Sequence, residues 1–290
     1  MRIFLTGGTG FIGSHFLAEL PRLRHDVTAL RRPGSNPCVK IKNEPRWLEK
    51  EMDKLDVSDM GGHEVLVHLA SVGVSPKKAT WEELIYWNVV VLMRLLEISR
   101  AAGVRRVIIA GSYAEYGLAS ERYEFIPIDA PLQPTSAYAA SKAAGFIAAS
   151  AFAIENRMEL CYLRIFSAFG EGQYEGNFWP ALHQAAVLGK DFPMTAGEQI
   201  RDYITVRDVA KVILFASEKE DISPGSPSVI NVGSGNPITM REFAEKYWKE
   251  WNATGQLLIG ALPYRANESK RFVPEISGFI KSIFFSKTTK

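Results

Sequence analysis

The chain has 290 residues, 47% of them hydrophobic, with 34 basic against 32 acidic side chains and a net charge of +2. That balance suits a soluble globular protein, and the scattered basic residues offer no groove for a nucleic-acid polyanion. Two cysteines, Cys38 and Cys161, supply neither a disulfide framework nor a zinc set, and the five histidines lack ligand spacing, so no metal site is expected and a reducing, cytoplasmic setting fits.

The opening "MRIFLTGG" runs straight into a strand-and-turn pattern rather than a signal-peptide layout. "RIFLT" (2–6) reads as a buried strand, followed by a glycine turn and the helix "GSHFLAELPRL", broken by Pro21. "VTAL" (27–30) is the second strand. "VLVHLA" (65–70) and "VRRVIIAGS" (104–112) are two more, separated by the helical run "WEELIYWNVVVLMRLLEISRAAG". An Ala-rich helical segment from Ser136 to Asn156 precedes the strand "LCYLRIFSAFG" (160–170). No apolar stretch is read as approaching the ~20 residues that cross a bilayer, so no membrane partner is expected.

Strands interleaved with helices of this length imply βαβ units and a parallel sheet covered on both faces. The fold class is therefore α/β, a doubly wound sheet of Rossmann type. After Gly170 the texture turns to Gly, Trp, Pro and charge, then to the capped helix "TVRDVAKVILFASEK" (205–219), starting at Thr205 or Asp208, and a strand in "SVINVGSG" (228–235). The expected division is a dinucleotide-binding domain over 1–166, with 198–233 crossing back to it. Residues 167–197 and 234–290 form a smaller substrate lobe.

"TGGTGFIG" places Gly7, Gly10 and Gly13 between the first strand and the first helix. Gly7 permits the tight turn, Gly10 lets backbone amides approach a pyrophosphate, and Gly13 lets the helix press on the strand. Strand before and helix after are the context that gives the pattern meaning. In "PTSAYAASKAAG", Tyr138 and Lys142 stand four residues apart, one helical turn on the same face. A free phenol titrates near ~10, and a neighbouring ammonium would bring it toward neutral pH.

Together "TGGTGFIG", "GSYAEYG" and "YAASK" resemble the extended short-chain dehydrogenase/reductase family, in its nucleotide-sugar branch of epimerases, dehydratases and 4-ketoreductases. The resemblance runs from Met1 to about Glu268. It implies Tyr138 as the catalytic acid/base, Lys142 as the residue that lowers its pKa and bonds the nicotinamide ribose, and Ser112 as the hydroxyl that bonds the reacting oxygen. It assigns coenzyme contacts to Gly7, Thr9, Gly10, Phe11, Ile12 and Gly13, to Leu69 and Ala70 in "HLAS", and to Ile165. For a nucleotide-diphosphate sugar it implies Ser167 in "RIFS", where many relatives carry asparagine, together with Asn177. Arg201 in "IRDYITVRDVA" and Arg265 in "LPYRANE" would grip the diphosphate. The acidic turn beside the adenine fits either Glu51–Met52 or Asp56–Val57. Family members usually pair through two helices that here carry "WNVVVLMRLLE" and "AAGFIAASAFA", so a homodimer is expected.

In the family frame Arg31 stands at the end of the second strand, where NAD users carry an acid that bonds the ribose hydroxyls. Arg31 and Arg32 offer charge-assisted bonds to a phosphate dianion instead, whereas Asp26 lies at the strand's other end. NADP(H) is thus favoured over NAD(H), and with it the net reduction of a 4-keto-6-deoxy sugar. A redox-neutral NAD-dependent 4-epimerase is the alternative, and a non-catalytic NADP(H) sensor the third reading. A dehydratase is disfavoured, because Ala114 precedes Glu115 where such relatives place an acidic pair; Glu115 itself stays open as a further polar group.

Overall fold

A computed structural model describes residues 1–20, 25–74, 78–264 and 269–285. The first part of the chain builds β1 (Arg2–Thr6), α1 (Phe11–Glu19), β2 (Asp26–Arg31), β3 (Arg46–Glu49), α2 (Val57–Met60), β4 (Val65–His68), α3 (Trp81–Ile85), α4 (Val91–Ala101), β5 (Arg106–Ser112) and α5 (Ala137–Glu155). There follow β6 (Glu159–Ile165), β7 (Ser167–Phe169), α6 (Phe178–Val187), β8 (Phe192–Met194), β9 (Ile200–Thr205), α7 (Val206–Glu218) and β10 (Ser228–Val232). The chain closes with β11 (Pro237–Thr239), α8 (Met240–Glu250), β12 (Leu257–Ile259), β13 (Arg271–Phe272) and α9 (Gly278–Phe285).

Seven strands make one sheet in the order β10-β6-β5-β4-β1-β2-β3, and every pairing in it is parallel. Residues Ile3, Leu5, Val67, Ile108 and Leu163 point to one face, under Phe16 of α1 and Val209 and Ile213 of α7. Phe4, Leu66, Val107, Ile109 and Leu160 point to the other, under Leu92, Leu95 and Leu96 of α4 and Ala149 and Ala153 of α5. Both faces are therefore dry, which is why the strands read as continuous apolar runs rather than alternating ones. The winding direction reverses between β1 and β4, and in such sheets ligands bind in the crevice beyond the strands' carboxyl ends at that point. The glycine turn follows β1 there, Leu69 and Ala70 follow β4, and Ser112 ends β5.

Several elements differ from the expectation. The edge strand β3, "RWLE", was not anticipated: it is short and its charged ends hide any apolar period. The expected strand over 160–170 is two strands. Phe166 donates its amide to Val232 O at 2.9 Å, after which the chain leaves the main sheet and β7 pairs with β9. The long helix over 81–103 contains a π-helical turn, Tyr86–Val90, between α3 and α4. Contrary to the expectation about bilayer spans, α5 is long and apolar enough by composition to cross a membrane; its alanines make it so, and it lies against the sheet with Lys142 buried in its first turns.

The remaining strands form a second layer system. β7, β9, β11 and β13 share a four-stranded sheet, and β8 pairs with β12. α6 and α8 cover them around Leu182, Ala186, Met194, Ala244 and Trp248. Thr205 caps α7 by accepting the amide of Asp208 at 3.2 Å, the first of the two starts foreseen. The buried Asp202 accepts the amides of Ser234 at 2.6 Å and Gly235 at 2.5 Å, tying β9 to the turn after β10.

Candidate active site

The glycine turn has the form of a dinucleotide cradle. Gly7 sits at φ +78°, and a Cβ there would lie 2.6 Å from the amide nitrogen of Ala70. A Cβ on Gly13 would lie 2.1 Å from Gly7 O, so only glycine lets α1 press this close to β1. Gly10, the N-cap of α1, is exposed and carries no side-chain cap. The helix's leading amides are left to an external anion, the arrangement that suits a pyrophosphate. Thr9, Phe11 and Ile12 are half-buried around it, as are Leu69 and Ala70 across from Gly7, while Ile165 is buried and lies in register with Ser112. These residues fit a nicotinamide dinucleotide.

The two arginines at the end of β2 are not equivalent. Arg31 Nη2 bonds Glu49 Oε1 at 2.5 Å, and its guanidinium lies over the Trp47 ring at 5.1 Å. Arg32 is exposed. Glu49 escaped the sequence reading because the strand that carries it was missed. Of the two acidic turns left open, Asp56 caps α2 and bonds Lys50 at 3.1 Å, and its carboxyl is drawn down to about 2 by Ser58 and then Lys50. Glu51 only precedes the short 3-10 turn Met52–Lys54.

Ser112, Tyr138 and Lys142 meet beyond the ends of β4 and β5. Ser136 caps α5 by accepting the Ala139 amide at 3.2 Å, and this sets Tyr138 and Lys142 on the helix's first turns. The phenol of Tyr138 is pushed up to about 12: burial outweighs the hydrogen bonds with the Ser112 and Ser71 hydroxyls that pull it down. Lys142 was expected to bring the phenol toward neutrality, but in the structure its ammonium donates to Ala110 O at 2.7 Å. Burial also holds Lys142 below the ordinary lysine value, with Glu115 acting against that fall. Beneath them His68 is kept neutral, its value lowered to about 3 by burial and the Lys142 charge, and its Nδ1 lies 2.7 Å from Thr6 Oγ1.

Two residues around the phenol have no role assigned from sequence. Ser71 is one; it belongs to the "HLAS" turn, which gave the only sign of it. The other is Asn88, buried in the π-helical turn. Its side-chain oxygen accepts the Val72 amide at 3.0 Å and the Ser71 hydroxyl at 3.2 Å. Its amide group donates to Val72 O at 3.1 Å and to Ser141 Oγ at 3.0 Å. The irregular turn thus fastens the loop after β4 to α5, as π-bulges near functional sites often do.

On the lobe side, Ser167 opens β7 half-buried, and Asn177 precedes α6 with its side chain free of any capping bond. Arg201 is buried; its Nη2 donates to Ser269 O at 2.7 Å, its Nη1 to Ile200 O at 3.0 Å, and the guanidinium lies over Phe272 at 5.4 Å. Its head group is therefore held against the backbone at Ile200 and Ser269, beside the Phe272 ring. Arg265 lies outside the described residues. Among the described residues no cluster of His, Cys, Asp and Glu could hold a metal ion. Glu115 is fully buried with both carboxylate oxygens engaged by protein donors.

A profile described as the NAD dependent epimerase/dehydratase family matches residues 3–233. The chain belongs to this family of nucleotide-sugar enzymes. It is 30% identical over 269 residues to a UDP-glucose 4-epimerase of Corynebacterium glutamicum, covering 84% of this chain and 79% of that one. It is 28% identical over 270 residues to a CDP-abequose synthase of Salmonella muenchen, covering 92% and 86%. Among solved structures it is similar to MoeE5 in complex with UDP-glucuronic acid and NAD, with 27% identity, a TM-score of 0.83, and coverage of 98% and 92%.

Proposed function

We propose that the chain is an NADPH-dependent reductase of a nucleotide-diphosphate 4-keto-6-deoxy sugar, with Tyr138 as proton donor. The observation that carries this reading is the end of β2, which bears no carboxylate of its own and presents the exposed guanidinium of Arg32. A ribose 2′-phosphate finds a charge-assisted partner there, where an acid would repel it. The similarity to a CDP-abequose synthase supports synthesis of a nucleotide-linked sugar.

When bound, the nicotinamide supplies the hydride. Tyr138, held protonated at neutral pH, gives its proton to the oxygen of the reduced carbonyl. Ser112 orients that oxygen, and Lys142 places positive charge behind the phenol. Asn177 and Ser167 face the sugar nucleotide, and Arg201 with Arg265 take its diphosphate once Arg201 leaves its backbone partners. Chains pair through α4 and α5, a reading supported by the exposed Val90 on the π-helical turn and Ile147 and Ile154 on α5.

The test mixes purified protein with NADPH and a panel of nucleotide-linked 4-keto-6-deoxy sugars and follows nicotinamide absorbance. Consumption that disappears in Tyr138→Phe supports the proposal; silence across the panel overturns it. A second reading, a redox-neutral NAD-dependent 4-epimerase, is favoured by Glu49, whose carboxylate stands at the same corner as Arg31 and can accept ribose hydroxyls. Retained NAD in the purified protein, with interconversion of C4 epimers, would establish that reading over the first.

A further inference from the structure

Directly behind the Ser112 turn lies a buried polar network that the proposed chemistry does not use. Glu115 has no solvent exposure. Its Oε1 accepts the backbone amide of Ser112 at 2.7 Å and the Tyr162 hydroxyl at 2.8 Å. Its Oε2 accepts Arg164 Nε at 3.0 Å, and that guanidinium lies between the rings of Tyr116 and Phe146, at 4.8 and 4.5 Å. Arg164 Nη1 also donates to Tyr116 Oη at 3.0 Å and to Ile128 O at 2.9 Å.

The network reaches the helix that carries the phenol and the ammonium. The Tyr162 hydroxyl leans toward Lys142 O at 3.3 Å as well as toward Glu115. Gly111 makes this possible: a Cβ at that position would lie 2.1 Å from Tyr162 Cε1, so only a glycine before Ser112 admits the ring. A buried carboxylate is costly unless it is paired and hydrogen-bonded, and this one accepts from Ser112 at the end of β5 and from Tyr162 and Arg164 of β6.

Resting on the reading of Ser112, Tyr138 and Lys142 as the catalytic set, we infer that Glu115 is a positioning residue of the reaction. Its carboxylate registers the Ser112 turn against α5 and holds a fixed negative charge behind the phenol and the ammonium, without touching substrate. The groups facing Tyr138 are the hydroxyls of Ser112 and Ser71, the phenols of Tyr113 and Tyr162 and this carboxylate. Those facing Lys142 are the Ala110 carbonyl, the His68 imidazole and the same carboxylate. Glu115 raises the proton affinity of both, so its neutralisation lowers both.

The experiment compares the wild-type chain with Glu115→Gln and with Glu115→Gln/Arg164→Met. The double change removes the cation that the single change leaves unpaired in the interior, so it folds where the single variant fails. The first readout needs neither coenzyme nor substrate: NMR titration of the tyrosine Cζ signals, with Tyr138 assigned by its loss in Tyr138→Phe. The Tyr138 midpoint is expected to fall by about one pH unit in Glu115→Gln and by less in the double variant, where loss of the Arg164 charge offsets part of the fall. In the reductase assay kcat is expected to fall about tenfold or more, with KM for the sugar and the NADPH dissociation constant within about twofold.

A purely structural Glu115 predicts the opposite pattern: lowered melting temperature in the single variant, recovery of kcat with stability in the double, and an unmoved Tyr138 midpoint. That pattern overturns the inference. If the wild type reduces no keto sugar, the proposed function fails, and the titration alone still decides the role of Glu115.

Discussion

Arg31 on β2 and Glu49 on β3 form an ion pair of 2.5 Å across the edge of the main sheet, stacked on Trp47. The pair neutralises one of the two guanidiniums at the end of β2 and leaves the exposed Arg32 as the partner for the phosphate in the proposed NADPH reading. Arg32→Ala is therefore expected to weaken NADPH binding by about 2 kcal/mol, roughly thirtyfold, and Arg31→Ala by much less. Glu49→Gln frees Arg31 and should tighten NADPH several-fold while weakening NADH. Equilibrium fluorescence titration of both coenzymes against the three variants measures this. Indifference of NADPH affinity to Arg32→Ala would remove the main support for a reductase.

The phenol of Tyr138 supplies a stability experiment that needs no substrate. Its folded value of about 12 lies above the ordinary 10.0, because burial disfavours the phenolate. Between those two values the unfolded chain gives up the proton while the folded one keeps it. The unfolded state then binds fewer protons, and stability falls as pH rises through this window. The loss attributable to Tyr138 approaches about 2–3 kcal/mol at its upper end. Tyr116 and Tyr162 are raised by burial as well, so the quantity to isolate is the difference between wild type and Tyr138→Phe. Urea unfolding across the alkaline range should give a shallower decline for the variant. Parallel curves would mean that the phenol is solvated.

Local patterns in the sequence revealed the parts of this site that are local in the chain. The turn at Gly7, Gly10 and Gly13 announces itself because sterics at three fixed positions demand glycine. Tyr138 and Lys142 are visible because one helical turn sets their spacing. What stayed hidden depends on contacts across the sheet. Glu49 stands 18 residues from Arg31 and becomes its neighbour only when β3 adds to the edge. Phe166 reads as the middle of one strand, and only the pairings of β6 with β10 and of β7 with β9 reveal that the chain changes sheets there. Spacing also predicts that a lysine is near Tyr138 but not how strongly burial raises the phenol.

Asn88 provides the last prediction, since it joins three parts of the site that are distant in sequence. Its side chain makes bonds to Ser71, Val72 and Ser141 from a π-helical turn that α5 approaches closely; a Cβ on Gly145 would lie 2.6 Å from Asn88 O. Asn88→Ala strands the Val72 amide and carbonyl in a half-buried setting, at a cost of about 1 kcal/mol or more. Asn88→Asp keeps the acceptor for Ser71 and Val72 but sets a carboxylate against Val72 O, so it should recover little of that stability. Because Ser71 is one of the two hydroxyls that pull the Tyr138 proton affinity down, its displacement in Asn88→Ala should raise the Tyr138 midpoint further, opposite to the shift expected for Glu115→Gln. Melting temperature and the Tyr138 NMR titration, read on the same samples, check both halves. A lowered melting temperature with an unmoved phenol would mean that Asn88 braces the fold without setting the Ser71 hydroxyl.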